Sequence, residues 1–250
     1  MFSLLLYCTP VDEDRLSAEL WDAGTTGIAE EPCGLRAFFE DASDRQALLE
    51  RFAIYNPKLS REDPVDWEQV SRDAWPPILV GQRFFLTPPW RDDLTPIGRI
   101  RLEMTPGMAC GTGRHPATQL CLEAMEGYVL PGSTVLDVGT GSGILMVAAK
   151  LLGASRIIGC DLDSTAIQIA RDRVQAPLFI GSIDAVRSQT ADIIVANISS
   201  GAIEELATEF QRVRKSQSTL ILSGFPKWDV PQCFQSREVL QCDEWRCLIC

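Results

Sequence analysis

Val135-Leu136-Asp137-Val138-Gly139-Thr140-Gly141-Ser142-Gly143-Ile144 decides the fold of most of this chain. Thr134 to Val138 is a short apolar run interrupted by one aspartate, the pattern of a buried strand. Gly139, Gly141 and Gly143 follow as a turn. From Ser142 to Leu152 apolar residues recur at helical spacing, and Gly153 ends the helix. A strand that runs through a glycine turn into a helix suits a ligand site. Glycines let the backbone double back and leave bare peptide groups for contact, and the first helix amides face the same space.

The pattern repeats outward from this turn. Arg156–Cys160, Leu178–Ile180, Asp192–Ala196 and Thr219–Leu222 read as strands. Ser164–Val174 and Ala202–Val213 read as helices, and Val239–Cys242 with Trp245–Ile249 as a closing hairpin. Short apolar strands alternating with amphipathic helices predict a doubly wound, mostly parallel α/β sheet over residues 95–250. The first sixty residues differ. Phe2–Cys8 is strand-like and Val11–Ala23 helical. Thr25–Ala29 and Leu35–Phe39 pair across Glu31-Pro32-Cys33-Gly34, Ala42–Phe52 is helical, and a last strand falls within Ala53–Leu59. That order predicts a small α+β, ferredoxin-like module over residues 1–60. Between them, residues 61–94 read as a linker. Asn56–Asp66 is polar with two prolines, Asp66–Ala74 reads as a short helix stopped by Pro76-Pro77, and Ile78–Pro88 as a strand or hairpin.

Two details of the turn narrow its ligand. A dinucleotide fingerprint requires G-x-G-x-x-G or a final alanine, and counting from Gly139 that place falls on Ile144, whose β-branch opposes close helix–strand packing. Asp137 stands two residues before the first glycine. A carboxylate there repels a pyrophosphate and favours a cationic ligand, so charge selects S-adenosylmethionine, with its ammonium and sulfonium, over a nicotinamide dinucleotide. Asp161, at the end of the next strand, is placed to accept both ribose hydroxyls of an adenosine. Asp163 or Ser164 caps the following helix. Ser182 and Ile183, after the third strand, fall where adenine would lie, with Ile183 against a ring face. Asn197 ends the fourth strand, at the crevice of a doubly wound sheet, where a neutral amide positions an incoming amine.

Composition bounds the rest. The chain has 250 residues, a net charge of −11 and nine cysteines. The charge repels polyanions, so nucleic acid is not the expected partner, and a small molecule or a basic protein is. An odd, scattered set of cysteines fits reduced thiols in the cytosol. Cys247 and Cys250 form a lone CxxC in a strand-like run, read as small hydrophobes and not as metal ligands. No stretch approaches a membrane helix, and the apolar Met1–Tyr7 lacks the basic lead-in of a signal peptide.

Upstream lies Pro106-Gly107-Met108-Ala109-Cys110-Gly111-Thr112-Gly113-Arg114-His115-Pro116-Ala117-Thr118. With Leu136–Gly143 and Ala196-Asn197-Ile198, this segment closely resembles the PrmA family, bacterial methyltransferases of large-subunit ribosomal protein L11. The family pattern there is P-G-x-A-F-G-T-G-x-H-x-T-T. The likeness covers most of the chain and is weakest over the first sixty residues. It implies a class I, Rossmann-like methyltransferase domain dependent on S-adenosylmethionine. It also implies an N-terminal domain that docks the ribosomal protein, and methylation of lysine side chains and an N-terminal amine. The family's cofactor contacts match onto Thr118, Gly139, Asp161 and Asn197. Cys110 and Ala117 depart from the pattern, and Ser199 replaces the leucine of the family's Asn-Ile-Leu.

Read from the residues alone, Pro116 suits a helix first turn, Ala117, Leu120, Cys121, Ala124 and Met125 form an apolar helix face, and Thr118 lies near that helix's start. Glycines around the loop fit a lid. His115, the only histidine, is expected to hold the loop by hydrogen bonds. The expected reading is a cytoplasmic, monomeric protein N-methyltransferase with Asn197 positioning the amine. Its cofactor site comprises Thr118, Asp137, Gly139, Gly141, Gly143, Asp161, Ser182, Ile183 and Asn197, with no metal. Alternatives are a methyltransferase of another protein or small molecule, a nicotinamide oxidoreductase, and a non-catalytic binding module. The fourth strand lacks the N-P-P-Y of glutamine and adenine N-methylation.

Overall fold

The computed structural model describes residues 1–9, 12–62, 72–104 and 113–250. Two compact units divide the chain, Met1–Ala74 and Trp75–Cys250.

In the first unit, β1 (Phe2–Tyr7), α1 (Glu13–Asp22), β2 (Gly27–Glu31), β3 (Gly34–Phe39), α2 (Arg45–Arg51) and β4 (Lys58–Arg61) follow the expected order. The antiparallel sheet runs β2-β3-β1-β4, as a ferredoxin-like module requires. Alternation along β1 sends Phe2, Leu4 and Leu6 to one face, where they pack with Leu16 and Leu20 of α1 and Leu48 of α2. Asp44 caps α2 by accepting from the amides of Gln46 and Ala47. The last strand begins later than expected, because a single 3-10 turn, Ala53–Tyr55, precedes it and buries Tyr55.

The second unit holds a seven-stranded sheet. Its members are β8 (Thr134–Val138), β9 (Arg156–Asp161), β10 (Leu178–Ile180), β11 (Ala191–Asn197), β12 (Arg214–Pro226), β13 (Glu238–Cys242) and β14 (Trp245–Ile249), in the order β10-β9-β8-β11-β12-β14-β13. The first five are parallel, and β14 inserts antiparallel between β12 and β13. Helices α3 (Pro116–Tyr128), α4 (Ile144–Leu151), α5 (Ser164–Arg173), α6 (Ser200–Glu205) and α7 (Ala207–Val213) connect them. Both faces are covered. Val135, Val195 and Ile221 pack with α3 and α4, while Leu136, Ile194 and Leu222 pack with Ile203 of α6 and Phe210 of α7.

Three sequence expectations change. Residues 75–94, read as linker, belong to the second unit. There β5 (Ile78–Val80), β6 (Phe84–Thr87) and β7 (Ile100–Glu103) form a small sheet whose Val80, Phe84, Leu86 and Leu102 are buried in the core over α3 and α4. Ala202–Val213 is two helices, divided at Leu206. Beyond the Thr219–Leu222 core, β12 spans 13 residues. The expected helix over Asp66–Ala74 lies largely outside the described residues. Cys247 of β14 packs in one core and Cys250, one residue past that strand, against the other, so the two residues of the CxxC face opposite sides.

At Gly224 the register between β12 and β14 shifts, and φ is +102°. A Cβ there would lie 2.4 Å from the carbonyl oxygen of Ile198, whereas one added at Gly201, in α6, would meet nothing within 4 Å. Gly224→Ala should therefore cost more than about 2 kcal/mol. Gly201→Ala should stabilise by about 0.5 kcal/mol or more by restricting the unfolded chain. Urea unfolding of the two variants checks both signs.

Candidate active site

Parallel strands set in register bring their carboxyl ends to one side, and the crevice for ligand opens there. Val195 of β11 lies opposite Asp137 of β8, and Asp137 opposite Gly159 of β9, so Asn197 and Asp161 emerge beside the glycine turn. A groove of about 470 Å³ lined by Ser133, Asp192 and Thr219 lies at the opposite, amino ends of the strands and competes with none of this.

Asp137 shares the β8 face of Val135 and is completely buried. The Thr140 hydroxyl donates to its Oδ2 at 2.7 Å, and its Oδ1 has no partner among the described residues. Burial pushes the carboxyl up to about 7, the Thr140 hydrogen bond opposes this, and the nearby Asp161 adds to it. A buried carboxylate oxygen without a donor fits a cationic ligand group and opposes an anionic one.

The turn itself is tightly tied. Gly139 and Thr140 amides both donate to the Cys160 carbonyl, at 2.9 and 3.0 Å, and Gly143 closes on Thr140 at 2.8 Å. Gly143 begins α4 in the left-handed region, φ +77°, with the Ala170 side chain 3.1 Å from where a Cβ would sit. At Gly139, φ +74°, a Cβ would meet Ile198 at 2.5 Å. The Gly141 amide donates to Asp161 Oδ2 at 2.8 Å and the Asp163 amide to Asp161 Oδ1 at 3.0 Å. Each carboxylate oxygen keeps a further lone pair for a ribose hydroxyl. Asp163 caps α5 by accepting from Thr165, as one of the two sequence readings expects. Ile144 is buried against Gly113, whose added Cβ would lie 2.7 Å from it. The isoleucine that disfavours a dinucleotide thus packs against Gly113.

Thr118 and Asn197 meet across the crevice. Thr118 is the third residue of α3 and 1 % exposed, and the Asn197 side-chain amide donates to its Oγ1 at 3.0 Å. His115 caps α3, its Nδ1 accepting from the Ala117 amide at 3.2 Å, and its ring meets Trp245 edge-on at 4.3 Å. The hydrogen bond of His115 thus goes to its own helix as a cap, and the loop it was expected to hold lies outside the described residues.

Ser182 precedes a 3-10 turn over Ile183–Ala185 and stays partly accessible. Ile183 differs from expectation. Its side chain is fully enclosed in the core cluster that holds Val138, Ile158 and Cys160, because apolar partners there outcompete an open cleft wall. Sequence reading missed Thr140, Gly224 and Trp245. Only Thr140, three residues beyond Asp137, carried a local signal. The loop Pro106–Thr112 lies outside the described residues. Among the described residues, no three His, Cys, Asp or Glu side chains are grouped to hold a metal, and no helix is long and apolar enough to cross a membrane.

The chain matches the family model of ribosomal protein L11 methyltransferase (PrmA) over residues 9–250. It is 37 % identical over 217 residues to "Ribosomal protein L11 methyltransferase" of Azotobacter vinelandii, covering 81 % of this chain and 73 % of the relative. To the protein of that name from Thermoanaerobacter pseudethanolicus it is 31 % identical, covering 90 % and 82 %. With that of Serratia proteamaculans the identity is 38 %, over 74 % of this chain and 66 % of the relative. Among solved structures, the ribosomal protein L11 methylase of Lactobacillus delbrueckii subsp. bulgaricus superposes with a TM-score of 0.63 at 27 % identity, covering 69 % of this chain and 96 % of that one.

The raised Asp137 carboxyl gives a pH signature. The folded state holds this proton more tightly than the unfolded chain, so the stabilisation it brings is complete below pH about 3.8 and is lost as pH rises through about 7. Ligand-free Asp137→Asn should then gain stability over wild type at pH 8.5, by roughly 2 kcal/mol, and lose that advantage by pH 5. The same variant should bind a cationic nucleoside more weakly. Thermal denaturation at the two pH values, paired with calorimetric titration, checks both.

Proposed function

The chain belongs to the ribosomal protein L11 methyltransferase (PrmA) family, and we propose that it transfers methyl groups from S-adenosylmethionine to lysine side-chain and N-terminal amines of ribosomal protein L11. The observation that carries this reading is the Oδ1 of Asp137, buried beside the glycine turn and without a partner among the described residues. That oxygen calls for a cation where dinucleotide-binding folds seat a pyrophosphate.

Bound cofactor supplies the methyl group already activated on a sulfonium, so the protein aligns and desolvates. Asp137 would hold the ammonium of the cofactor's amino acid part beside the turn of Gly139, Gly141 and Gly143. Asp161 accepts from the ribose hydroxyls. Ser182 and the backbone at Ile183 read the adenine edge, the isoleucine side chain itself being core. Thr118 closes the opposite wall.

Asn197 orients the acceptor. Its Nδ2 is committed to Thr118 Oγ1, which leaves the amide oxygen to accept from an amine N–H. That acceptor would orient the incoming amine for the methyl transfer the cofactor supplies. A neutral amide does this without fixing a proton on the nucleophile, and no dedicated base is required once the amine arrives unprotonated. Residues 1–60 dock the ribosomal protein in this reading. The net charge of −11 draws in a basic partner and disfavours direct contact with nucleic acid. One chain carries every site residue, so a monomer suffices, and the cytoplasm is where a ribosomal protein would be met.

Incubation with labelled methyl donor and purified L11, read by intact mass, should add increments of one methyl. No increment on L11 would overturn the substrate assignment. Asn197→Ala should lower kcat by about a hundredfold while cofactor affinity changes much less. Equal losses in both would reduce Asn197 to a cofactor contact.

A further inference from the structure

Beyond β12 the chain makes a turn whose tip is Lys227-Trp228, closed by the Asp229 amide donating to the Pro226 carbonyl at 3.0 Å. Trp228 is 66 % exposed and belongs to no core cluster. The turn that carries it is nevertheless held on both sides. The Ser200 hydroxyl donates to Asp229 Oδ2 at 2.5 Å, fixing it to the segment that follows Asn197. The Lys227 amide donates to the Glu244 carbonyl at 2.7 Å. Glu244 precedes Trp245, which packs on His115, the cap of the helix that carries Thr118. The turn that carries Trp228 is therefore tied on one side to the segment after Asn197 and on the other, through Trp245 and His115, to the helix of Thr118. Asp229, Asp243 and Glu244 are exposed around it, with Lys227 the one cation of the tip.

We propose that Trp228 is a substrate-contact residue, an aromatic wall that holds the acceptor's alkylammonium side chain at the mouth of the site. The proposal rests on the methyltransferase reading above and adds the contact that selects the amine. An indole face attracts ammonium groups, and the acidic rim raises their local concentration. Methylation keeps the positive charge and adds apolar surface, so the wall holds a mono- or dimethylated side chain better than the unmodified one. Each time the held nitrogen loses its proton to solvent it regains the lone pair that takes the next methyl group, so a wall that retains the methylated side chain favours repeated transfer to the same nitrogen.

With wild-type protein and L11, Trp228→Ala should raise KM for the protein substrate about tenfold, with kcat within about twofold. The share of product nitrogens carrying more than one methyl group should fall, and calorimetric affinity for the cofactor should be unchanged. Trp228→Phe should restore part of the KM and of the product pattern. Unchanged KM and product distribution in Trp228→Ala would overturn the proposal. A second measurement separates it from the substrate assignment. The indole N–H signal of Trp228, identified by its loss in Trp228→Ala, is followed while cofactor-loaded protein is titrated with Nα-acetyl-Nε-trimethyllysine. A shifting signal with no methylation of L11 sinks the L11 assignment and leaves the amine wall standing. A static signal with normal methylation of L11 sinks the wall alone, and failure of both sinks both.

Discussion

An unpaired carboxylate oxygen inside a packed sheet is costly, and the site is arranged around the one that Asp137 presents. Its position follows from strand alternation. Val135 and Asp137 share a face of β8, so the aspartate is carried into the dry space under α3 that its neighbours fill with apolar groups. Thr140 satisfies one oxygen, and among the described residues none satisfies the other. A position that served only the fold would hold a hydrophobe there. The retained acid has a physical rationale when a cation comes to meet it, and its raised proton affinity without one is the measure of that mismatch.

The turn next to Asp137 is held by contacts that leave little slack. Arg173 donates to the Glu103 carbonyl and to the Ser142 carbonyl at 3.3 Å, tying β7 to the glycine turn. Ile198 lies against Gly139 on one side and, through its backbone, against Gly224 on the other. The end of β12, the residue after Asn197 and the glycine turn thus form one continuous stack. Geometry at Asn197 is set by that stack as much as by its own hydrogen bond to Thr118, which is how a group that does no acid–base chemistry can still matter to a reaction governed by alignment.

What the sequence disclosed was local in origin. The strand–turn–helix at Thr134–Leu151, the cap at Asp163 and the place of Thr118 in its helix each depend on neighbours a few residues away, and periodicity reads such features well. The misses depend on distant partners. Phe84 and Leu86 look like residues of a connecting hairpin until the core that buries them is known. Gly224 is required because of Ile198. Ile183 turns inward because the core beside it accepts an isoleucine. The break at Leu206 occurs inside a run whose apolar spacing is helical throughout. In the site, charge and residue type marked Asp137, Asp161 and Asn197, whereas the wedge of Trp245 against His115 joins two places that share no sequence signal.

The position of β14 bears on how the chain can be assembled. This strand lies between β12 and β13 in the sheet but follows both in sequence. As the polypeptide is made from its amino end, β12 appears with one edge bare, and β13 then appears with no neighbour to join. Until Trp245–Ile249 is available, that edge offers its unpaired amides and carbonyls, flanked by Leu220, Ile221 and Leu222, to any extended segment nearby. Sheet completion is therefore a late event, and the nascent protein passes through an interval in which strand-mediated self-association competes with closure.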